Sequence, residues 1–136
     1  KEGWNVAISA RRENLLKETC EEHENISSFP LDVTDKNKCK EVFQNIVDTF
    51  QSVDICFFST GTWDPKKEKD IDVEQIENVF KTNLFGCFGL LKYGFKYLRK
   101  DGGSVILFSS AASKVGLKNH DCISSAKSGV SSFAKG

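Results

Sequence analysis

The sequence has no methionine, no net charge, no long apolar run and no cysteine pair at short spacing. Nineteen Lys and Arg residues balance nineteen Asp and Glu. None of them forms the basic stripe that neutralises a phosphate backbone, which argues against a nucleic-acid partner. No apolar stretch approaches the roughly 18–20 residues that cross a bilayer, which argues against a membrane partner. The five cysteines, Cys20, Cys39, Cys56, Cys87 and Cys122, are odd in number. Their spacing supports neither a zinc site nor a disulfide framework. Four of them fall at apolar positions of expected helices or strands, which suits buried thiols in a reducing, cytoplasmic compartment. There the Asn25-Ile26-Ser27 sequon carries no glycan. The missing methionine, and an opening at Lys1-Glu2-Gly3-Trp4 that reads as a helix ending on Gly3, predict a piece of a longer chain.

What is present is an ordinary apolar content of 39% over 136 residues, enough for one domain with a moderate core. Asn5 to Ala10 reads as a strand, followed by Arg11-Arg12 and a helix carrying Leu15, Leu16, Thr19 and Cys20. Ile26 to Leu31 reads as a second strand. Thr34 or Asp35 then caps an amphipathic helix whose stripe is Cys39, Val42, Phe43, Ile46, Val47 and Phe50. Val53 to Phe58 is an apolar strand ending at Ser59-Thr60-Gly61, and a charged loop covers residues 62–70. Asp72 with Gln75 forms a capping box that opens one long helix to about Arg99. Asp101-Gly102-Gly103 stops it and turns into the strand Val105 to Phe108, and a last helix starts near Ile123. This alternation predicts an α/β, Rossmann-like doubly wound parallel sheet of four βα units in a single partial domain, residues 1–136.

Ligands of such sheets sit beyond the carboxyl ends of the strands, where this sequence places polar residues. Ala10 stands where a carboxylate would hold ribose hydroxyls, and Arg11 and Arg12 follow; guanidinium groups there favour a phosphate over a bare diol. Asp32-Val33 closes the second strand. Gly61 permits a close backbone approach. Asn83 sits in mid-helix, against its propensity and beside apolar neighbours. Ser109 and Ser110 emerge from the last strand, and Lys127 lies on the helix after it.

In series, these residues resemble the short-chain dehydrogenase/reductase family, over nearly all 136 residues. The resemblance implies an NADP-dependent oxidoreductase, NAD being less favoured, that transfers hydride to a small-molecule carbonyl or activated C=C substrate. It implies that Asn83, Ser110 and Lys127 are catalytic. Arg11, Arg12, Asp32, Val33, Gly61 and Lys127 would hold the cofactor, and no metal is implied. It further implies a homodimer or homotetramer for the full-length protein, packed through the Val73–Arg99 helix and the one near Ile123. The family's proton-donating tyrosine would stand at Ile123, a side chain that exchanges no proton. His120 or Asp121 is then an alternative donor; a chemistry needing no tyrosine there, or a non-catalytic cofactor-binding or scaffold protein, is the other outcome. The family's first strand would precede Lys1 and lie between the strands ending at Ala10 and Ser59, so its absence predicts a central gap with two exposed strand edges.

Overall fold

The structure is a computed structural model that describes residues 3–136, so the Lys1 and Glu2 part of the expected helix end lies outside the described residues. Its elements run β1 (Val6–Ile8), α1 (Glu13–Glu21), β2 (Ile26–Ser28), α2 (Lys36–Phe50), β3 (Ile55–Phe58), α3 (Val73–Phe80), α4 (Gly86–Gly94), β4 (Ser104–Leu107) and α5 (Asp121–Phe133). Short 3-10 turns occupy Glu68–Asp70, Phe95–Tyr97 and Ala111–Ser113. This is the alternating βα order expected of a Rossmann-like fold.

The strands form two separate parallel pairs. β1 runs beside β2 from Val6↔Ile26 to Ile8↔Ser28, and β3 beside β4 from Ile55↔Ser104 to Phe58↔Leu107. Among the described residues no hydrogen bond joins β1 to β3, so the sheet is interrupted where the gap was expected. Packing holds the pairs together instead. Leu31 and Val33 beyond β2, Cys39, Val42 and Phe43 of α2, Phe58 of β3, and Cys87, Leu90 and Leu91 of α4 form one buried cluster. Side chains alternate across a strand. Cys56, Phe58, Val105 and Leu107 therefore meet this cluster, while Ile55, Phe57 and Ile106 remain exposed on the opposite face.

Local chemistry explains the helix starts. Asp35, not Thr34, caps α2, accepting from the N–H groups of Asn37 and Lys38 at 3.0 Å each. Asp72 caps α3 through the N–H of Gln75 at 2.7 Å. Only half of the expected capping box forms, because the Gln75 amide donates to the Asp64 carbonyl at 2.6 Å and does not reach back.

The single long helix expected from Asp72 to Arg99 is corrected to α3, a π-helical turn over Lys81–Phe85, and α4 with its closing 3-10 turn. The cause is Asn83, whose Nδ2 donates to the Val79 carbonyl at 2.9 Å, inside the helical ladder. Two glycines let α4 approach its neighbours. A Cβ on Gly86 would lie 2.8 Å from Val33 Cγ2, and one on Gly94 would lie 2.7 Å from the Phe43 ring. The last helix starts at Asp121, two residues before Ile123.

Candidate active site

A cleft of about 410 Å³ opens beyond the carboxyl ends of β3 and β4. Gly61, Asn83, Ser110 and Lys127 all line it, together with Trp63, His120 and Ile123. Four predicted site residues from four separate stretches therefore share one cavity. Arg11, Arg12, Asp32 and Val33 stand elsewhere, beyond the ends of β1 and β2.

The two serines after β4 have different partners. Ser109 Oγ donates to the Lys127 carbonyl at 3.0 Å and lies 2.6 Å from Ser131 Oγ, so it fastens the strand to α5. Ser110 Oγ accepts from the Ala112 N–H at 3.2 Å, capping the 3-10 turn. Its own proton has no acceptor among the described residues and is free to donate into the cleft.

Lys127 comes off α5 and is only 7% exposed. Its Nζ donates to the Phe108 carbonyl at 2.8 Å, which leaves two of three N–H groups for a ligand. Among the described residues no carboxylate lines the cleft to pair with it. Burial accordingly pushes its pKa below the ordinary lysine value, with the Cys87 thiol acting weakly the other way. Burial pushes the Cys87 thiol itself up to about 11.

Asn83 is fully buried. Its Nδ2 also donates to the Thr62 carbonyl at 2.9 Å, tying the π turn to the loop after β3. Its Oδ1 has no partner among the described residues and lies 2.8 Å from where a Cβ on Gly61 would stand. Glycine at 61 thus keeps the floor of the cleft open beside an unused acceptor.

At the other pair of strands, Asp32 Oδ1 accepts from the Thr34 N–H at 2.9 Å and from its hydroxyl at 2.8 Å. The Thr34 N–H chiefly holds the Asp32 pKa below its ordinary value against the cost of burial, with Arg11 and Lys81 adding to it. Val33 is buried, pressed against Gly86, and its carbonyl accepts from the Cys39 thiol at 3.6 Å. Arg11 and Arg12 are exposed, and among the described residues neither forms a salt bridge.

Ile123 lines the cleft at 9% exposure and packs with Val79 and Ala126 in a second buried cluster. Trp63 was not among the residues expected from sequence. The only signal for it was an aromatic two residues after Gly61 at the mouth of a charged loop.

The family model for short chain dehydrogenases matches residues 1–136. The chain belongs to the short-chain dehydrogenase family. Among its relatives, glucose and ribitol dehydrogenase homolog 2 of Arabidopsis thaliana is 30% identical over 101 residues, covering 74% of this chain and 35% of that protein. The uncharacterized oxidoreductase YhdF of Bacillus subtilis is 30% identical over 141 residues, covering 99% of this chain and 48% of that protein. The chain thus spans about a third to a half of the length of these curated relatives.

Solved structures share the short-chain dehydrogenase fold. The KRED1-Pglu enzyme superposes with a TM-score of 0.92 at 22% identity, over 98% of this chain and 56% of that one. ElxO with NADP bound gives 0.88 at 24% identity, over 95% of this chain and 54% of that one. At these identities the likeness is one of fold.

Proposed function

We propose that this chain is one partial dinucleotide-binding domain of an NADP-dependent reductase that acts on a small-molecule carbonyl or activated C=C substrate. The observation that carries this reading is the convergence of Ser110, Asn83 and Lys127 on the cleft above Gly61. ElxO, which shares the fold, binds NADP.

The residues present fit a nicotinamide dinucleotide. The buried Lys127 ammonium, with two N–H groups unassigned, suits the hydroxyls of a ribose, and Gly61 leaves the backbone approachable beside it. Beyond β1, Arg11 and Arg12 without a carboxylate at Ala10 suit a 2′-phosphate. Asp32 has one carboxylate oxygen beyond its turn bonds to accept from an adenine amino group. Val33 would contribute main chain there, since its side chain belongs to the core. The cofactor would supply the hydride.

The chain's own groups would do the rest. Ser110 would donate a hydrogen bond from its free hydroxyl to the substrate oxygen as negative charge gathers there. Lys127 would hold the cofactor and add positive potential. Asn83 would fix the loop that floors the site. The same reading makes the protein a cytoplasmic homodimer or homotetramer, and the exposed Phe85, Phe88 and Phe95 of the π turn, α4 and the 3-10 turn after it offer apolar surface for that packing. Among the described residues no helix is long and apolar enough to cross a membrane.

A second reading, a cofactor-binding scaffold without turnover, draws on Ile123, which carries no proton. The two separate cleanly. NADPH binding followed by tryptophan fluorescence, and NADPH oxidation with benzil and with crotonyl-CoA, are measured for wild type and Lys127→Ala. Turnover that Lys127→Ala abolishes supports the reductase. Binding without turnover toward either probe supports the scaffold, and no binding refutes both.

A further inference from the structure

With Ile123 unable to exchange a proton, the reductase reading needs another donor in the cleft. Among the described residues that line the cleft, only Lys127 and His120 are titratable. Lys127 is 7% exposed and tied to the Phe108 carbonyl, so water reaches it poorly. Asp121, next to His120, is exposed and lines a separate, smaller void beside Gln75. We propose that His120 is the catalytic acid of this site, donating the proton from its Nε2. The proposal rests on the reductase reading.

The local chain holds the imidazole in one orientation. Asn119 adopts φ +62°, a left-handed conformation that asparagine tolerates, and the His120 N–H closes the turn onto the Leu117 carbonyl at 3.2 Å. The ring nitrogen Nδ1 lies 2.7 Å from the Lys118 carbonyl oxygen. A carbonyl only accepts, so Nδ1 carries the hydrogen and Nε2 is the nitrogen that gains and loses the second proton. The ring lies against Trp63, with centroids 4.9 Å apart and planes at 34°.

In the step, a bound nicotinamide would supply the hydride for the new C–H bond at the substrate carbonyl carbon, and the carbonyl π pair would move to oxygen. That oxygen takes the proton from His120 Nε2, whose bonding pair stays on the ring. The products are an alcohol, the oxidised nicotinamide and a neutral imidazole. His120 is half-buried and regains its proton from water.

The test uses the intact protein, NADPH and benzil. His120→Gln retains a polar side chain but transfers no proton. It should lower kcat by about 100-fold or more, the scale of a lost general acid, while NADPH affinity is kept. Ile123→Tyr added to His120→Gln should recover part of the rate, because it places a phenol one helical turn from Lys127. A readout independent of turnover comes from ¹⁵N NMR on a His23→Gln background, where His120 is the sole histidine. The neutral ring should show hydrogen on Nδ1 and a bare Nε2, and diethyl pyrocarbonate should modify that nitrogen more slowly when benzil and NADP fill the cleft. A kcat in His120→Gln within about threefold of wild type overturns the proposal, as does hydrogen on Nε2 in the neutral ring. In either case wild-type turnover would leave the reductase reading standing. A wild type that neither binds nor oxidises NADPH removes both.

Discussion

Gly61→Ala tests the coupling between fold and site most directly. The added methyl would stand 2.8 Å from Asn83 Oδ1 and 3.9 Å from its Cγ. Ordinary van der Waals contact begins well beyond the first of these distances, so Asn83 must retreat. It cannot do so freely, because its Nδ2 is held by the carbonyls of Thr62 and Val79 at 2.9 Å each. Overpacking a fixed core costs about 1–3 kcal/mol, and giving up one buried hydrogen bond adds about 1 kcal/mol. The expected loss is therefore about 2–4 kcal/mol, measured by urea denaturation. Asn83→Ala in the same background removes the obstructing oxygen. The cost of Gly61→Ala should then fall to well under about 1 kcal/mol, a coupling visible in a double-mutant cycle. An equal cost in both backgrounds would refute the contact, and a cost below about 0.5 kcal/mol in the wild type would refute the rigidity ascribed to Asn83.

Other outcomes follow from single features. Gly94→Ala drives a methyl to 2.7 Å from the Phe43 ring and should cost about 1–3 kcal/mol by thermal or urea melting, since both partners lie in the core. Gln51 closes α2 at φ +71° and ψ −37°. Gln51→Gly should stabilise the protein by about 1 kcal/mol, read as a raised Tm. The folded-state pKa of Asp32 is depressed, so its contribution is present above the ordinary carboxylate value and lost as pH falls through the folded one. Asp32→Asn should flatten that acid limb of the stability–pH curve. The folded-state pKa of Lys127 is also depressed, but for a base the sign differs: the unfolded chain holds the proton longer, and stability rises with pH up to the ordinary lysine value of 10.5. Lys127→Met should abolish that rise while weakening NADPH binding, and a slope unchanged by the substitution would show that Lys127 is solvated.

The sequence made the element order legible because its signals are local. Apolar runs mark the strands, the stripe from Cys39 to Phe50 marks α2, and Asp72 marks the start of α3. The π turn was not legible, since it depends on Asn83 reaching two carbonyls, one of them 21 residues away on Thr62. Gln75 was misread for the same reason, its amide being drawn to Asp64, 11 residues back. In the site, the family resemblance pointed to Ser110 over Ser109. The physical difference between them, one hydroxyl engaged with α5 and one with a free proton, exists only once Lys127 and Ser131 are brought near. The glycines at 86 and 94 take their meaning from Val33 and Phe43, which press against them only in the folded chain.

The packing between the two pairs of strands has a consequence for recognition. Arg11 and Asp32 stand beyond one pair and Ser110 beyond the other, and Leu31 and Val33 are wedged between them against Phe58, Cys87 and Leu91. Trimming a methyl from this wedge should alter the reach available to a two-headed ligand before it alters either end of the grip.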